Sequence, residues 1–280
     1  RGAKLLRGVK REYSNWLFMS PFIVGFLVFV LYPIVMSLAY SFTDYNSIRI
    51  TEIGFFNYAD IFDFSRFGMG HDIWKSYGLT ALYAVLSIPL NIFLSYTLAL
   101  LLQKNIPGIK AIRLLCYLPV LIPGIVFGQI WMDMLGYPEG LINQWLAQLG
   151  LSKHTFFSAE STQLMTLLVV SQWGVGGGMI VWLAALENVP KTLYEAAEID
   201  GAGAVQKFLH VGWPLLKPTT IYVLTISIYA GLSMFTESLM VFGTNNSPKN
   251  YGLTIVGYLY RYGFEKVDKF GFASAVGLVL

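Results

Sequence analysis

The chain is written as long charge-free runs separated by short polar stretches. Trp16–Phe42, Gly78–Leu102, Leu114–Met132, Ser161–Leu186 and Pro218–Thr236 contain no Asp, Glu, Lys or Arg. A hydrocarbon core about 30 Å thick requires roughly 20 apolar residues of helix, so each run predicts a membrane-spanning helix. The third extends to residue 134 past Asp133, and the fifth extends past Glu237 to Phe242. A sixth run opens at Phe270 and holds 11 residues before Leu280, too few to cross. The pattern therefore predicts an all-α membrane protein with a six-helix core whose last helix is truncated here, the natural chain continuing past Leu280. Trp16–Phe42 is too long for a signal peptide and lacks a cleavage signature. Pro21, Pro33, Pro89, Pro119 and Pro123 fall inside the runs and predict kinks, since neighbouring helices can satisfy the freed carbonyls.

Composition agrees with this pattern. Of the 280 residues 55% are hydrophobic and 12% charged, where a soluble domain carries about 25% charged residues. That excludes a soluble enzyme, a disordered tail and a nucleic-acid binder. Cys116 is the one cysteine, so no internal disulfide or Cys-based zinc site is possible. His71, His154 and His210 have no metal-ligand spacing, no nucleophile–base arrangement occurs, and no Walker sequence is present, so no metal site and no catalytic residue are expected.

The basic residues orient the spans. A tail of residues 1–15 carries Arg1, Lys4, Arg7, Lys10 and Arg11. The loops after spans two and four carry Lys104, Lys110 and Arg113, and Lys191, Lys207 and Lys217. Eleven Lys and Arg thus lie on one side against eight on the other, which predicts a cytoplasmic amino terminus and a multi-pass domain over residues 16–280.

The loop over residues 187–217 is the unusual one, reading ENVPKTLYEAAEIDGAGAVQKFLHVGWPLLK. Four of the 16 acidic residues lie between Glu187 and Asp200. A helix-compatible run after Pro190 ends at Gly201, a residue suited to a left-handed helix end. A second amphipathic stretch follows, with its boundary expected at Pro214. The result is a helix–turn–helix at the membrane surface, suited to dock on a soluble partner.

Here the sequence resembles the permease subunits of binding-protein-dependent ABC importers. Their loop motif is matched by Glu195-Ala196-Ala197, Gly201, Val211, Trp213 and Pro214 at every spacing, with Val211 and Trp213 standing where isoleucine and leucine are usual. Ser20–Asn46, Gly54–Phe62, the stretch from Pro119, Gly140–Leu151 and Leu259–Ala275 extend the resemblance to the sugar-permease subfamily. Phe-Thr-Asp-Tyr-Asn at residues 42–46 is similar to the MalF/UgpA-like member of the permease pair. The resemblance implies the MetI-like fold of a type I importer in the bacterial inner membrane. It implies as partners a MalG/UgpE-like permease, two ABC ATPases that bind the ATP and Mg, and an extracytoplasmic solute-binding protein, with no nucleic acid. The cargo is a saccharide or sugar-like solute. Glu195, Ala196, Ala197, Asp200, Gly201 and Pro214 become the ATPase-coupling residues.

Inside the membrane, Tyr229, Ser233 and Thr236 form a polar line at i, i+4 and i+7 beside Glu237. Such a face looks toward protein or a water-filled cavity; it serves either a solute pathway or hydrogen bonding between helices. Asp133 reads as pathway or interface. The glycine run Gly174–Gly178 permits close approach or unwinding beside a ligand. The resemblance puts solute contacts at Gly174, Gly177, Tyr229, Ser233 and Thr236, with Glu237 adjacent. The competing class is an ion-coupled secondary transporter, which would need inverted repeats and midplane ion sites; no repeat is visible.

Overall fold

The computed structural model describes residues 15–64, 69–104, 106–157, 160–242, 252–265 and 269–280. The basic positions between Arg1 and Arg11 lie outside them. Fourteen helices are used below: α1 Asn15–Ser41, α2 Phe56–Ile61, α3 Met69–Leu102, α4 Ile109–Tyr117, α5 Gly124–Leu135, α6 Leu141–Gln148 and α7 Glu160–Ser171. They continue as α8 Gly176–Glu187, α9 Lys191–Ile199, α10 Ala204–Lys207, α11 Trp213–Leu232, α12 Thr236–Phe242, α13 Ile255–Tyr260 and α14 Phe270–Val279. Among the described residues there is no strand, only an isolated bridge between Thr43 and Ile53. Two compact units result, residues 72–258 and residues 1–71 with 259–280.

Four stretches are long and apolar enough to cross a bilayer: Asn15–Ser41, Gly70–Leu102, Thr162–Glu187 and Ala204–Phe242, the third passing through a 3-10 turn and the last interrupted at residues 233–235. The expected third span is not one straight helix. Ile109–Leu121 and Gly124–Leu135 meet at 101°. Pro123 forces its predecessor out of the helical region, and Ile122 accordingly sits at ψ 124°. The proline there breaks the span rather than kinking it. α14 is apolar and 10 residues long.

In the larger unit, Trp182, Met179, Leu216 and Ala99 form one apolar core between α3, α8 and α11, and Leu167, Val170, Phe242 and Met234 form another. Glycine sets the closest crossings. A Cβ on Gly124 would stand 2.3 Å from the Thr236 methyl, and one on Gly128 2.3 Å from Met240 Cβ, so a small-xxx-small pair lets α5 and α12 touch. The start of α13 is pinned by side chains: Thr254 Oγ1 donates to the Met234 carbonyl at 2.8 Å, and the Ile255 N–H donates to Thr80 Oγ1 at 2.9 Å.

In the smaller unit, α14 lies against the end of α1. A Cβ on Gly271 would fall 2.0 Å from the Thr43 carbonyl oxygen, and its N–H donates to the Tyr45 carbonyl at 3.0 Å. The Thr-Asp-Tyr-Asn segment after α1 is held by its own polar groups. Asn57 Nδ2 donates to the carbonyls of Ser41 and Thr43 at 2.9 and 2.8 Å. Asp44 accepts from the N–H groups of Thr51 and Glu52 at 2.8 and 2.9 Å and from the Thr51 hydroxyl. These bonds, the Thr51 hydroxyl foremost, favour the charged carboxylate and hold its pKa down at about 2.

Candidate functional site

Two arrangements in the larger unit carry candidate function. The first is the helix–turn–helix. Pro190 opens α9, its fixed φ of −61° matching the helix entry. α9 closes with the Ala202 N–H on the Ala197 carbonyl at 2.9 Å and the Gly201 N–H on the Glu198 carbonyl at 3.0 Å. This is a Schellman closure, and it places Gly201 at φ +79°, which glycine adopts without penalty. The return helix starts at once, Gln206 Oε1 accepting the Gly203 N–H at 2.9 Å. Lys207 Nζ reaches Glu198 Oε2 at 3.1 Å and ties the two arms together.

Tyr194 turns inward against the Trp182 core, while Glu195, Ala196, Asp200 and Gly201 are exposed and Ala197 is half-buried. Ile199 is 86% exposed on the same tip. Five of the six expected coupling residues therefore cluster on α9 and its turn. Pro214 does not join them. No helix boundary occurs there: α10 runs through a wide π turn at Phe208–Gly212 directly into α11. The Trp213 N–H bonds back to the Phe208 carbonyl, five residues earlier, and that wider spacing accommodates the N–H that Pro214 lacks.

The second arrangement is a polar cavity of about 170 Å³ inside the helix core, lined by Tyr83, Ser87 and Asn91 of α3, Ser171 and Gln172, Ser227 and Glu237. Asn91 Nδ2 donates to Gln172 Oε1 at 3.2 Å, and Gln172 Nε2 donates to Ser171 Oγ at 3.2 Å. Tyr83, Ser87 and Ser171 share one side of the cavity wall. Gln172 owes its position to a 3-10 turn, Gln172–Val175, that separates α7 from α8. A chain of neutral donors and acceptors beside one carboxylate suits hydroxyl-bearing ligands or water rather than an anion.

Of the expected pathway residues, Glu237 alone lines this cavity. The polar line on span five is not continuous, because α11 ends at Leu232 and α12 begins afresh at Thr236. Tyr229 is 72% exposed, Ser233 caps α11, and the Thr236 methyl faces Gly124. Gly174 has open space where a Cβ would stand, and Gly177 has only Val120 at 3.8 Å. The close approaches in that run belong to Gly176, over the Cys116 carbonyl, and Gly178, beside Ser95. Asp133 is exposed and accepts from Gln129 Nε2 at 2.8 Å. What sequence reading missed is the α3 stripe Tyr83, Ser87, Asn91, Ser95, polar at every fourth residue of an otherwise apolar span.

Residues 91–280 match the family described as binding-protein-dependent transport system inner membrane component. The arabinooligosaccharides transport system permease protein AraP of Bacillus subtilis (strain 168) is 37% identical over 273 residues, covering 96% of this chain and 84% of AraP. The lactose transport system permease protein LacF of Rhizobium radiobacter is 26% identical, covering 97% and 91% of the two chains. A bacterial alginate ABC transporter, solved with an alginate pentasaccharide-bound periplasmic protein, contains a chain of the same fold. Its TM-score is 0.80 at 24% identity, over 99% of this chain and 91% of that one.

Proposed function

The chain belongs to the family of binding-protein-dependent transport system inner membrane components, and from that premise we propose that it is the transmembrane subunit of an ATP-driven carbohydrate importer. It forms half of the translocation pathway and couples to separate ATPases through the Glu195–Gly201 hairpin. The cargo is a neutral oligosaccharide: relatives carry arabinooligosaccharide and lactose in their names, and no predicted span contains Lys or Arg to hold an acidic one. A second permease supplies the other half, a solute-binding protein delivers the sugar, and ATP and Mg bind to the ATPases.

The observation that carries this reading is the hairpin itself. Its exposed tip combines Ile199 and Ala196 with Glu195 and Asp200, an apolar patch rimmed by carboxylates that fits a groove in a soluble partner. ATP-driven approach of two ATPases would move two such hairpins and rock the permease halves between inward and outward openings. The chain's own contribution is mechanical. It transmits displacement and presents hydroxyl and amide groups to sugar.

The test is reconstitution of this chain with its partner permease, ATPases and binding protein in sealed vesicles. Uptake of labelled arabinooligosaccharide should require ATP inside and binding protein outside, and Gly201→Val or paired Glu195→Lys and Ala196→Arg changes should abolish it. Uptake driven by an ion gradient without ATP would overturn the proposal in favour of a secondary transporter.

A further inference from the structure

A cavity larger than the polar one lies outside the transport reading. It measures about 910 Å³ and lies where α3, α8 and the hairpin come together, with Lys104, Lys191, Lys207 and Glu187 among its walls. All four sit at helix ends: Lys104 just past α3, Glu187 closing α8, Lys191 opening α9, Lys207 closing α10. Two of these charges are already matched, Lys207 by Glu198 at 3.1 Å and Glu187 by Arg113 at 3.4 Å. Lys104 and Lys191 have no ion-pair partner among the described residues. The cavity thus presents surplus positive charge at the ends of α3 and α8.

A second cavity of about 410 Å³ runs along the spans and is walled by Ile92, Phe93, Trp182, Trp213 and Leu224. Tyr96 and Phe208 belong to the walls of both cavities, so the basic chamber and the apolar groove adjoin at one aromatic seam. The seam is ordered: the Tyr96 ring meets Trp182 edge-on at 5.3 Å and Phe208 at 6.0 Å. Trp182 is 2% exposed, and its indole N–H has no acceptor among the described residues.

We propose that these two cavities form one site for an anionic phospholipid, its headgroup phosphate between Lys104 and Lys191 and an acyl chain along the groove beneath Tyr96 and Phe208. Basic chambers between spans at the membrane surface recognise such headgroups, and an apolar groove adjoining the same chamber distinguishes a lipid from a free anion. The occupant would brace α9 against α3. The inference rests on the membrane reading of the chain and not on the identity of the sugar.

The experiment uses the assembled transporter in vesicles of phosphatidylcholine containing a trace of photoactivatable phosphatidylglycerol, with labelled peptides read by mass spectrometry. Label is expected on peptides containing Tyr96–Lys104 or Phe208–Trp213. Lys104→Gln and Lys191→Gln should each lower it roughly fivefold, the change carried by one headgroup-facing lysine. Lys104→Arg and Lys191→Arg should restore it, and Lys153→Gln should leave it unchanged. Equal labelling by a phosphatidylcholine probe, or labelling indifferent to both Gln variants, would overturn the site. So would competition by soluble glycerol phosphate, which would mark a free-anion site. Labelling seen only without the partner permease would show that the groove is covered by protein. ATP-driven uptake in pure phosphatidylcholine vesicles tests the importer reading separately.

Discussion

Gly176→Ala tests the packing of the helix that leads into the hairpin. A Cβ at this position would lie 2.1 Å from the Cys116 carbonyl oxygen and 3.0 Å from the Tyr117 Cα, both backbone atoms that cannot rotate away. Ordinary contact begins near 3.4 Å, so α8 and α4 must part by about 1.3 Å. Overpacking of a rigid contact costs ~1–3 kcal/mol, and the upper half of that range applies where backbone meets backbone. Replacing glycine by alanine in a helix returns up to about 1 kcal/mol. The net expectation is a loss of about 1–2 kcal/mol. Gly174→Ala and Gly177→Ala meet open space and a side chain at 3.8 Å, so they should be neutral or slightly stabilising. Cys116, the only thiol of the chain, adjoins the crossing and reports on it. Maleimide labelling of Cys116 on heating, with this chain resolved on a gel, should reach half-completion several degrees lower in Gly176→Ala. Identical labelling curves for Gly176→Ala and Gly177→Ala would refute the reasoning.

Gly201→Val forces a β-branched residue to φ +79°, a cost of roughly 1–2 kcal/mol concentrated in the hairpin turn; ATP-driven uptake should fall at least tenfold while thermal unfolding shifts only a few degrees. Gly128→Leu drives a side chain into Met240, and α5 should lose its seat on α12, read as reduced yield and a lowered unfolding temperature, whereas Gly25→Leu, with nothing within 4 Å, should be silent. The Asp44 carboxylate titrates at about 2 rather than near 3.9, so its hold on the Thr51 loop is complete above the unfolded value and is lost as pH falls toward 2. The Thr51 amide resonance should titrate with that low midpoint, and Asp44→Asn should remove the titration. Glu237→Gln keeps the shape of the polar cavity, so sugar uptake should persist with a changed KM; complete loss of the folded protein would contradict its placement at a partly open wall.

The long spans were legible because twenty apolar residues in a row admit few structures besides a membrane helix. The hairpin was legible because Pro190, Gly201 and the amphipathic runs each specify a local conformation. Span five was harder. A period of 3.6 carried through Tyr229, Ser233 and Thr236 assumes an unbroken helix, and the break at Ser233–Phe235 is set by tertiary contacts: Thr236 against Gly124, Met234 bonded by Thr254. Pro214 misled for a related reason, since a π turn just ahead of it removes the bond that proline would break. The α3 stripe and the Gly124–Gly128 pair were present in the sequence, one as a period of four and one as a small-xxx-small motif. Neither carries a charge, and attention to carboxylates passed over both.

The π turn at Phe208–Gly212 also sets a phase. One extra residue in a helical turn advances every later side chain by about 100° around the axis. From Ala204 to Leu232 the helix is otherwise unbroken, about 43 Å of rod with the hairpin at one end and Ser227, a wall of the polar cavity, near the other. One continuous helix, with Pro218 inside it, thus connects the hairpin to that cavity. Deleting one residue from the wide turn would let it relax to ordinary pitch. Ser227 and Gly231 would then swing away from Asn91 and Gln172 while the hairpin kept its own geometry. The rotational phase between hairpin and cavity is thus set by a single surplus residue.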